Sequence, residues 1–536
     1  MQSTRSDKSS GSGLSRRDFV KAGVFAGAAV AIPLHRLASA QTALANRMPQ
    51  SKLPVPFTRP FQRPPVAAKF RTDATTDYYK IPMVPFLADI IPGYQTPMYG
   101  YDGSFPGPTI KTTKGRKTAI RFGNELPSRH QTLLYEPYTS VHLHGSPSLP
   151  QYDGYASDIT RPGQYKDYHY PNNESGRTLW YHDHGMHHTA ENIVQGLAGM
   201  YIHEDPAEAA LGLPRGEFDV PLMINDAIFK NDGNLLFSLE DESGQWGDVI
   251  MVNGVPWPAM KVKRRKYRFR VLNASISRSF ELSLSNGQQM TVIGTDAGLM
   301  PHPVKTSRLR LAGAERYEVV IDFAKLRPGT RVQLRNSSPK NNVNYLNTDR
   351  VMAFDVVGDP FDATSNGVPS ELNPTNKVMA LQPSQATTTR QFRLFRDRSQ
   401  WTINGNTWAK VTASNYNFVE ASVPNGAVEI WEFINDSGGW FHPIHIHLID
   451  FKILSRNGQA PQPYEAGAKD VIYLGENETV QVLAQFKGNG KYMIHCHNMI
   501  HEDHDMMTQF EVVDPDMPAD HPLSDPCRNM PEESEL

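Results

Sequence analysis

Four short stretches place histidines two residues apart: "HLHG" (142–145), "WYHDHGM" (180–186), "HPIHIH" (442–447) and "HCHNMIH" (495–501). On an extended strand alternate side chains share a face. His142 with His144, His182 with His184, His445 with His447 and His495 with His497 therefore each project two imidazoles to one side. One such pair is a common surface coincidence, whereas four at corresponding places describe a metal centre, since neutral imidazole is the commonest protein metal ligand. Cys496 stands between two of these histidines and so faces the other way. His501 and Met506 follow five and ten residues later, and His442 can join from another strand. Two His, one Cys and a weak axial Met make a blue-copper electron-transfer site. An electron leaving it need only follow the Cys496 backbone to reach His495 and His497.

The elements that hold these residues are β-strands. Runs such as "KYRFRVLN" and "TVQVLAQF" alternate apolar and polar residues and are broken by the 39 Gly and 41 Pro, a pattern of half-buried strands. The chain also repeats. "YDGSFPGPTI…TAIRFGNELP" (101–127), "VNGVPWPAM…KYRFRVLNAS" (252–275) and "INGNTWAKV…AVEIWEFINDS" (403–437) each open on an Asp-Gly or Asn-Gly turn signal and close on a strand ending in Asn. Gly103, Gly254 and Gly405 are evenly spaced, 151 residues apart. "RTLWYHDH" (177–184) and "GKYMIHCH" (490–497) match between the first and third units; the middle one offers only "GTRVQLRN" (329–336). Three all-β units of this size suggest Greek-key barrels or sandwiches, placed at 50–215, 216–375 and 390–536. "NPTNKVMALQPSQATTTR" (373–390) reads as a linker, and "TAENIVQGLAG" (189–199) as a helix with Thr189 as N-cap and Gly at its end.

Residues 1–40 are of another kind. Arg16–Arg17, a short small-residue apolar run and Ala38-Ser39-Ala40 read as a twin-arginine export signal with its cleavage site. The apolar run is too short to span a bilayer and no later segment is long enough, so no membrane span is expected. A periplasmic or otherwise exported location follows. No basic stripe marks a nucleic-acid partner. Of the two cysteines, Cys496 is better used as a thiolate ligand than in a disulfide, and Cys527 has no evident partner.

With these motifs in hand, the chain resembles the three-domain multicopper oxidases over nearly its whole length beyond residue 40. "TLWYHDHGMHHTAEN", "NGVPWP", "KYRFR", "AERYEV" and "HCHNMIHEDHDMM" are most similar to the branch that holds bilirubin oxidases and spore-coat laccases. The resemblance implies three cupredoxin-like Greek-key β-barrel domains, the middle one without ligands, and four copper ions. His442, Cys496, His501 and Met506 match the type 1 ligands, with Met506 preferred to Met507. His142 and His445 match the type 2 pair. One type 3 copper would take His144, His182 and His497, and the other His184, His447 and His495. Asp153 and Glu502 match the family's catalytic proton-delivery positions; Trp440, two residues before His442, reads either as lining the electron-entry face or as a packed core Trp. The implied partners are a small-molecule reductant (phenols, aromatic amines, linear tetrapyrroles) and O2, acting on a monomer. The rival readings are a Cu(I) or Mn(II) oxidase, against which the 19 Met are scattered rather than gathered in an insertion, and a scaffold that has lost its copper.

Overall fold

In the computed structural model, residues 46–130, 134–239, 241–340, 342–358, 364–517 and 528–529 are described. The export signal 1–40 and Cys527 lie outside them. The described residues from Arg47 onward form one compact unit, built from three successive pairs of β-sheets. In the first pair Thr76–Ala88 runs parallel to Lys117–Asn124, and the facing sheet has the order Gly107–Thr113, Ala198–Glu204, Arg177–Asp183, Val141–His144. The middle pair repeats this with Asp219–Ala227 parallel to Lys266–Asn273 and Ala259–Val262 parallel to Arg350–Val356. The last pair sets Thr388–Asp397 parallel to Val428–Asn435, and orders the facing sheet as Ala421–Pro424, Met507–Val513, Gly490–Cys496, His442–Ile446, Val471–Leu474. These are the three cupredoxin-like units expected. "KYRFRVLN" is the strand Lys266–Asn273.

The repeat is visible in atomic detail. Asp102-Gly103 (φ 52° and 62°), Asn253-Gly254 (51° and 77°) and Asn404-Gly405 (54° and 75°) are all left-handed, the signature of a two-residue type I′ hairpin. Each parallel strand then ends on an asparagine with the same job. Asn124 donates to the carbonyls of Pro137 and Thr160 and accepts from the Leu126 N–H. Asn273 does so with Arg278, Leu311 and Ser275, and Asn435 with Trp440, Gly475 and Ser437. Three buried carboxamides thus satisfy the backbone where each strand leaves its sheet.

One local expectation is corrected. The helix spans Thr189–Gln195 and ends at Gly196, but Thr189 is its first residue rather than its cap, and His188, the N-cap, makes no side-chain cap bond. The cap comes from the third domain instead, in Asp503. Within residues 373–390, Asn376 caps a one-turn helix Lys377–Ala380, and the next strand begins at Thr388. Among the described residues no helix is long and apolar enough to cross a membrane.

Candidate metal centre

Strand register assembles the histidines. Val141–His144 pairs with Arg177–Asp183 so that His142 stands opposite His182. His442–Ile446 pairs with Gly490–Cys496 so that His445 stands opposite His495 and Ile444 opposite Cys496. His184, His447 and His497 follow one position beyond these strands. All ten ligand-type histidines are buried. The alternation of faces holds: Cys496 lies with Ile444, Ile446, Ile494 and Met506 in the apolar core of the third domain, while His495 and His497 meet the first-domain histidines.

On the Cys496 side, Sγ lies 3.4 Å from His442 Nδ1 and 3.5 Å from His501 Nδ1, and the two nitrogens are 3.2 Å apart. Three donors around one metal at about 2.0–2.3 Å would stand about 3.5 Å from each other, so the triangle has the size of a coordination site. The outer nitrogens are already committed. His442 Nε2 meets Ser437 Oγ at 2.9 Å, and His501 Nε2–H donates to the Ser243 carbonyl at 3.1 Å. Met506 is fully buried in the same cluster as Cys496, and its backbone bonds both Cys496 and His501. Met507, one residue on, faces the other way into a cluster with Met493 and Trp408, which favours Met506 as the axial group. Burial pushes the Cys496 thiol well up and His442 down to about 3. A bound cation is what would make that sulfur a thiolate.

On the other side six of the eight rings are held by one nitrogen and offer the other. His142 Nδ1 bonds the Asp153 carbonyl (2.5 Å), His445 Nδ1 the Asp470 carbonyl (2.9 Å) and His182 Nδ1 the Asp183 carbonyl (2.8 Å). His447 Nδ1 meets Asp153 Oδ2 at 2.8 Å and His495 Nδ1 meets Glu502 Oε2 at 3.0 Å. The free Nε2 atoms then gather: His142 to His445 3.4 Å, His184 to His495 3.2 Å, His447 to His495 3.2 Å. His144 is turned round, with Nε2 on Asp470 Oδ1 at 3.2 Å and Nδ1 without a partner. His182 Nε2 and both nitrogens of His497 are likewise unpartnered though buried. His142 and His445, and the trio His184, His447 and His495, are thus brought together. His144, His182 and His497 are neighbours too, with ring centroids 5.1 to 5.8 Å apart. Burial holds His144, His182, His445, His447, His497 and His501 well below the usual imidazole range, and His184 at about 3, the neutral form that binds metal.

Both candidate acids lie against this cluster. Burial raises the Asp153 carboxyl, partly offset by His142. Glu502 also feels burial, but His184 and His495 beside it prevail and hold it low. The sequence reading missed Asp470, which orients His144 by its carboxylate and His445 by its carbonyl, and Trp401, whose ring stacks on His501 at 4.4 Å. Neither lies at a ligand spacing. Trp440 is half-buried at the edge of Trp401, 6.1 Å away.

Family comparison matches this geometry. Multicopper oxidase domain models cover residues 88–208, 192–344 and 381–516, and the chain belongs to the multicopper oxidases. It is 45% identical to a bilirubin oxidase of Albifimbria verrucaria, over 85% of this chain and 81% of that protein. It is 34% identical to a laccase of Bacillus subtilis (strain 168), over 78% and 91%. A multi-copper oxidase structure from Pediococcus acidilactici superposes with TM-score 0.77 at 28% identity, covering 88% of this chain and 94% of that one. For McoA of Aquifex aeolicus the figures are 0.73, 28%, 85% and 100%. The protein is an oxidoreductase of that family, which implies O2-dependent oxidation of organic substrates and copper as the metal. The residues fit copper: a thiolate with two imidazoles on one side, and on the other buried imidazole nitrogens that lack any protein partner.

Proposed function

We propose that the chain holds four copper ions and couples one-electron oxidation of small organic reductants to the reduction of O2 to water. His442, Cys496, His501 and Met506 would hold the type 1 ion, His142 and His445 the type 2 ion, and the remaining six histidines the type 3 pair. Copper would supply electron transfer at the first centre and four-electron reduction of O2, with four protons, to two waters at the others. The observation that carries this reading is Cys496 itself: its sulfur completes one donor set while His495 and His497, bonded to it through the backbone, belong to the other.

Asp153 and Glu502 are the proton-handling groups. They reach the cluster from different sides, through His447 and His495, and a positioned carboxyl can contribute 10²–10⁴-fold to proton transfer. Phenols, aromatic amines and linear tetrapyrroles are the proposed donors, supported by the likeness to a bilirubin oxidase and a laccase. We infer further that Arg16–Arg17 direct folded, copper-loaded export to the periplasm and that the enzyme works as a monomer. Cell fractionation of an Arg16→Lys/Arg17→Lys variant and light scattering check these two points.

The main experiment is a copper count with a visible spectrum of the loaded protein, beside Cys496→Ser. Four coppers and a strong thiolate-to-copper band absent from the variant support the reading; a colourless wild type sinks it. Oxygen uptake with bilirubin, a phenol, Cu(I) and Mn(II) ranks the donors. Asp153→Asn and Glu502→Gln should each lower kcat about a hundredfold when compared with wild type at equal copper loading.

A further inference from the structure

Trp401 belongs to no ligand set. The hairpin that carries it pairs Asp397 with Gln400 around Arg398 and Ser399, whose φ values are 45° and 78°. A turn of that hand favours Asn-Gly, so two side-chain-bearing residues hold it under strain, and such strain persists where the surroundings over-determine it. The surroundings do so here. The Trp401 ring stacks on His501 with planes at 30°, and meets His442 edge-on at 5.3 Å. Its indole N–H donates to the Glu242 carbonyl at 2.8 Å. The Arg396 guanidinium lies over the indole, 4.8 Å from the ring centroid, and is itself tied to the Glu242 carboxylate at 2.7 Å.

His442 and His501 are both fully buried, so a dissolved donor touches neither, and the electron must cross an intervening group. Three groups cover His501: the Ser243 carbonyl and the Asn498 carboxamide at Nε2, and the indole on the ring. The indole is the conjugated one, in face contact with the imidazole, and it leads outward to exposed Arg396 and half-buried Trp440. A cation and an aromatic edge side by side suit an electron-rich aromatic ring.

We propose that Trp401 is a positioning residue for electron uptake: it fixes the ring plane of His501 and couples to it an electron-rich aromatic donor docked over Arg396 and Trp440. This rests on the copper-oxidase reading above. In each event a phenolic donor would lose one electron and release its proton to solvent, and the electron would pass to the ion that His442, Cys496 and His501 would hold. The indole is not oxidised and no bond to it forms or breaks.

The test uses the full, copper-loaded chain with Trp401→Phe, which keeps a ring, and Trp401→Leu, which does not. Copper content, the thiolate-to-copper band, the type 1 reduction potential, and kcat and KM for 2,6-dimethoxyphenol are measured. The proposal expects full copper and an intact band in both variants. Trp401→Leu should show a shifted potential and a kcat at least tenfold lower, and Trp401→Phe a kcat within threefold of wild type. Wild-type kcat and potential in Trp401→Leu would overturn it, as would loss of the band in both variants, which marks a packing role alone. Arg396→Gln, at an exposed site, keeps the test decisive if Trp401→Leu does not fold: a kcat threefold or more below wild type supports the proposal, and an unchanged kcat overturns it. A wild-type chain without the band would instead overturn the copper-oxidase reading itself.

Discussion

Asp503 closes the helix that begins at Thr189, although 314 positions separate the two residues. Its carboxylate oxygens accept the backbone N–H groups of Thr189 at 3.0 Å and Ala190 at 2.8 Å. Asp503 sits on the same short helix, Met499–Asp503, as His501 and Glu502. One contact therefore ties the first domain to the third beside the metal centre. Removing the carboxylate strands two buried donors. Asp503→Ala should lower stability by about 2 kcal/mol, and Asp503→Asn, which keeps one acceptor, by less. Thermal unfolding of the copper-free chain measures both, and an unmoved midpoint in Asp503→Ala would refute the cap.

Asp470 links a structural ion pair to metal binding. The fully buried Arg316 donates to both its carboxylate oxygens at 2.5 Å, and the same carboxylate meets His144 Nε2. Asp470→Asn keeps the shape but removes one of the two buried carboxylates that face Arg316, leaving Asp296 at 3.8 Å, a loss of about 2 kcal/mol. It also releases His144 from the tautomer that turns Nδ1 to the cluster, where losing such a partner lowers metal affinity about 10- to 100-fold. Copper retained after dialysis against a graded chelator series reads this directly. Retention equal to wild type would mean that the carboxylate does not orient His144.

The parts of this arrangement differ in how plainly the sequence displays them. His-x-His and the Cys between two histidines are legible because a strand has a period of two, so spacing alone tells which side chains share a face. The Asn-Gly turns are legible because few residues tolerate two successive left-handed positions. Asp470, Trp401 and Asp503 act across register and domain contacts that no local pattern encodes. Thr189 shows the consequence: it has the residue type of a cap, but a carboxylate from another domain takes that place, and the hydroxyl is left inside the first turn.

Asp77 gives the pH dependence a sign. Its buried side chain receives Lys69 Nζ at 2.7 Å, Arg116 at 2.7 Å and Thr72 Oγ1 at 2.9 Å. Burial works to raise the carboxyl, but these donors outweigh it and hold it at about 2. An unfolded aspartate titrates near about 3.9, so the native state binds the proton less readily. The resulting stabilisation is complete above pH ~4 and fades as pH falls towards 2. Lys69 is half in solvent, and screening reduces the effect to about 1 kcal/mol. Asp77→Asn should thus be less stable than wild type at pH 7, with the gap closing by pH 2. Urea unfolding at several pH values would show it, and a gap independent of pH would contradict the linkage.

The three repeated turns provide an internal control on what glycine is for. Gly103, Gly254 and Gly405 share one backbone conformation, so an alanine at any of them carries the same left-handed penalty of about 1–2 kcal/mol. Their surroundings differ. A β-carbon at Gly103 or Gly405 would find its nearest neighbour at 3.5 Å, ordinary contact with a side chain, whereas at Gly254 it would stand 2.5 Å from the Phe105 carbonyl oxygen. That oxygen belongs to the backbone of the first domain and cannot swing aside. Gly103→Ala and Gly405→Ala should each cost about 1–2 kcal/mol, and Gly254→Ala clearly more, because it must also push the first and middle domains apart. Denaturant unfolding of the three single variants separates the two causes. Equal losses at all three would assign the whole effect to the turn, while a larger loss at Gly254 alone would show that this glycine also permits the close approach of two domains.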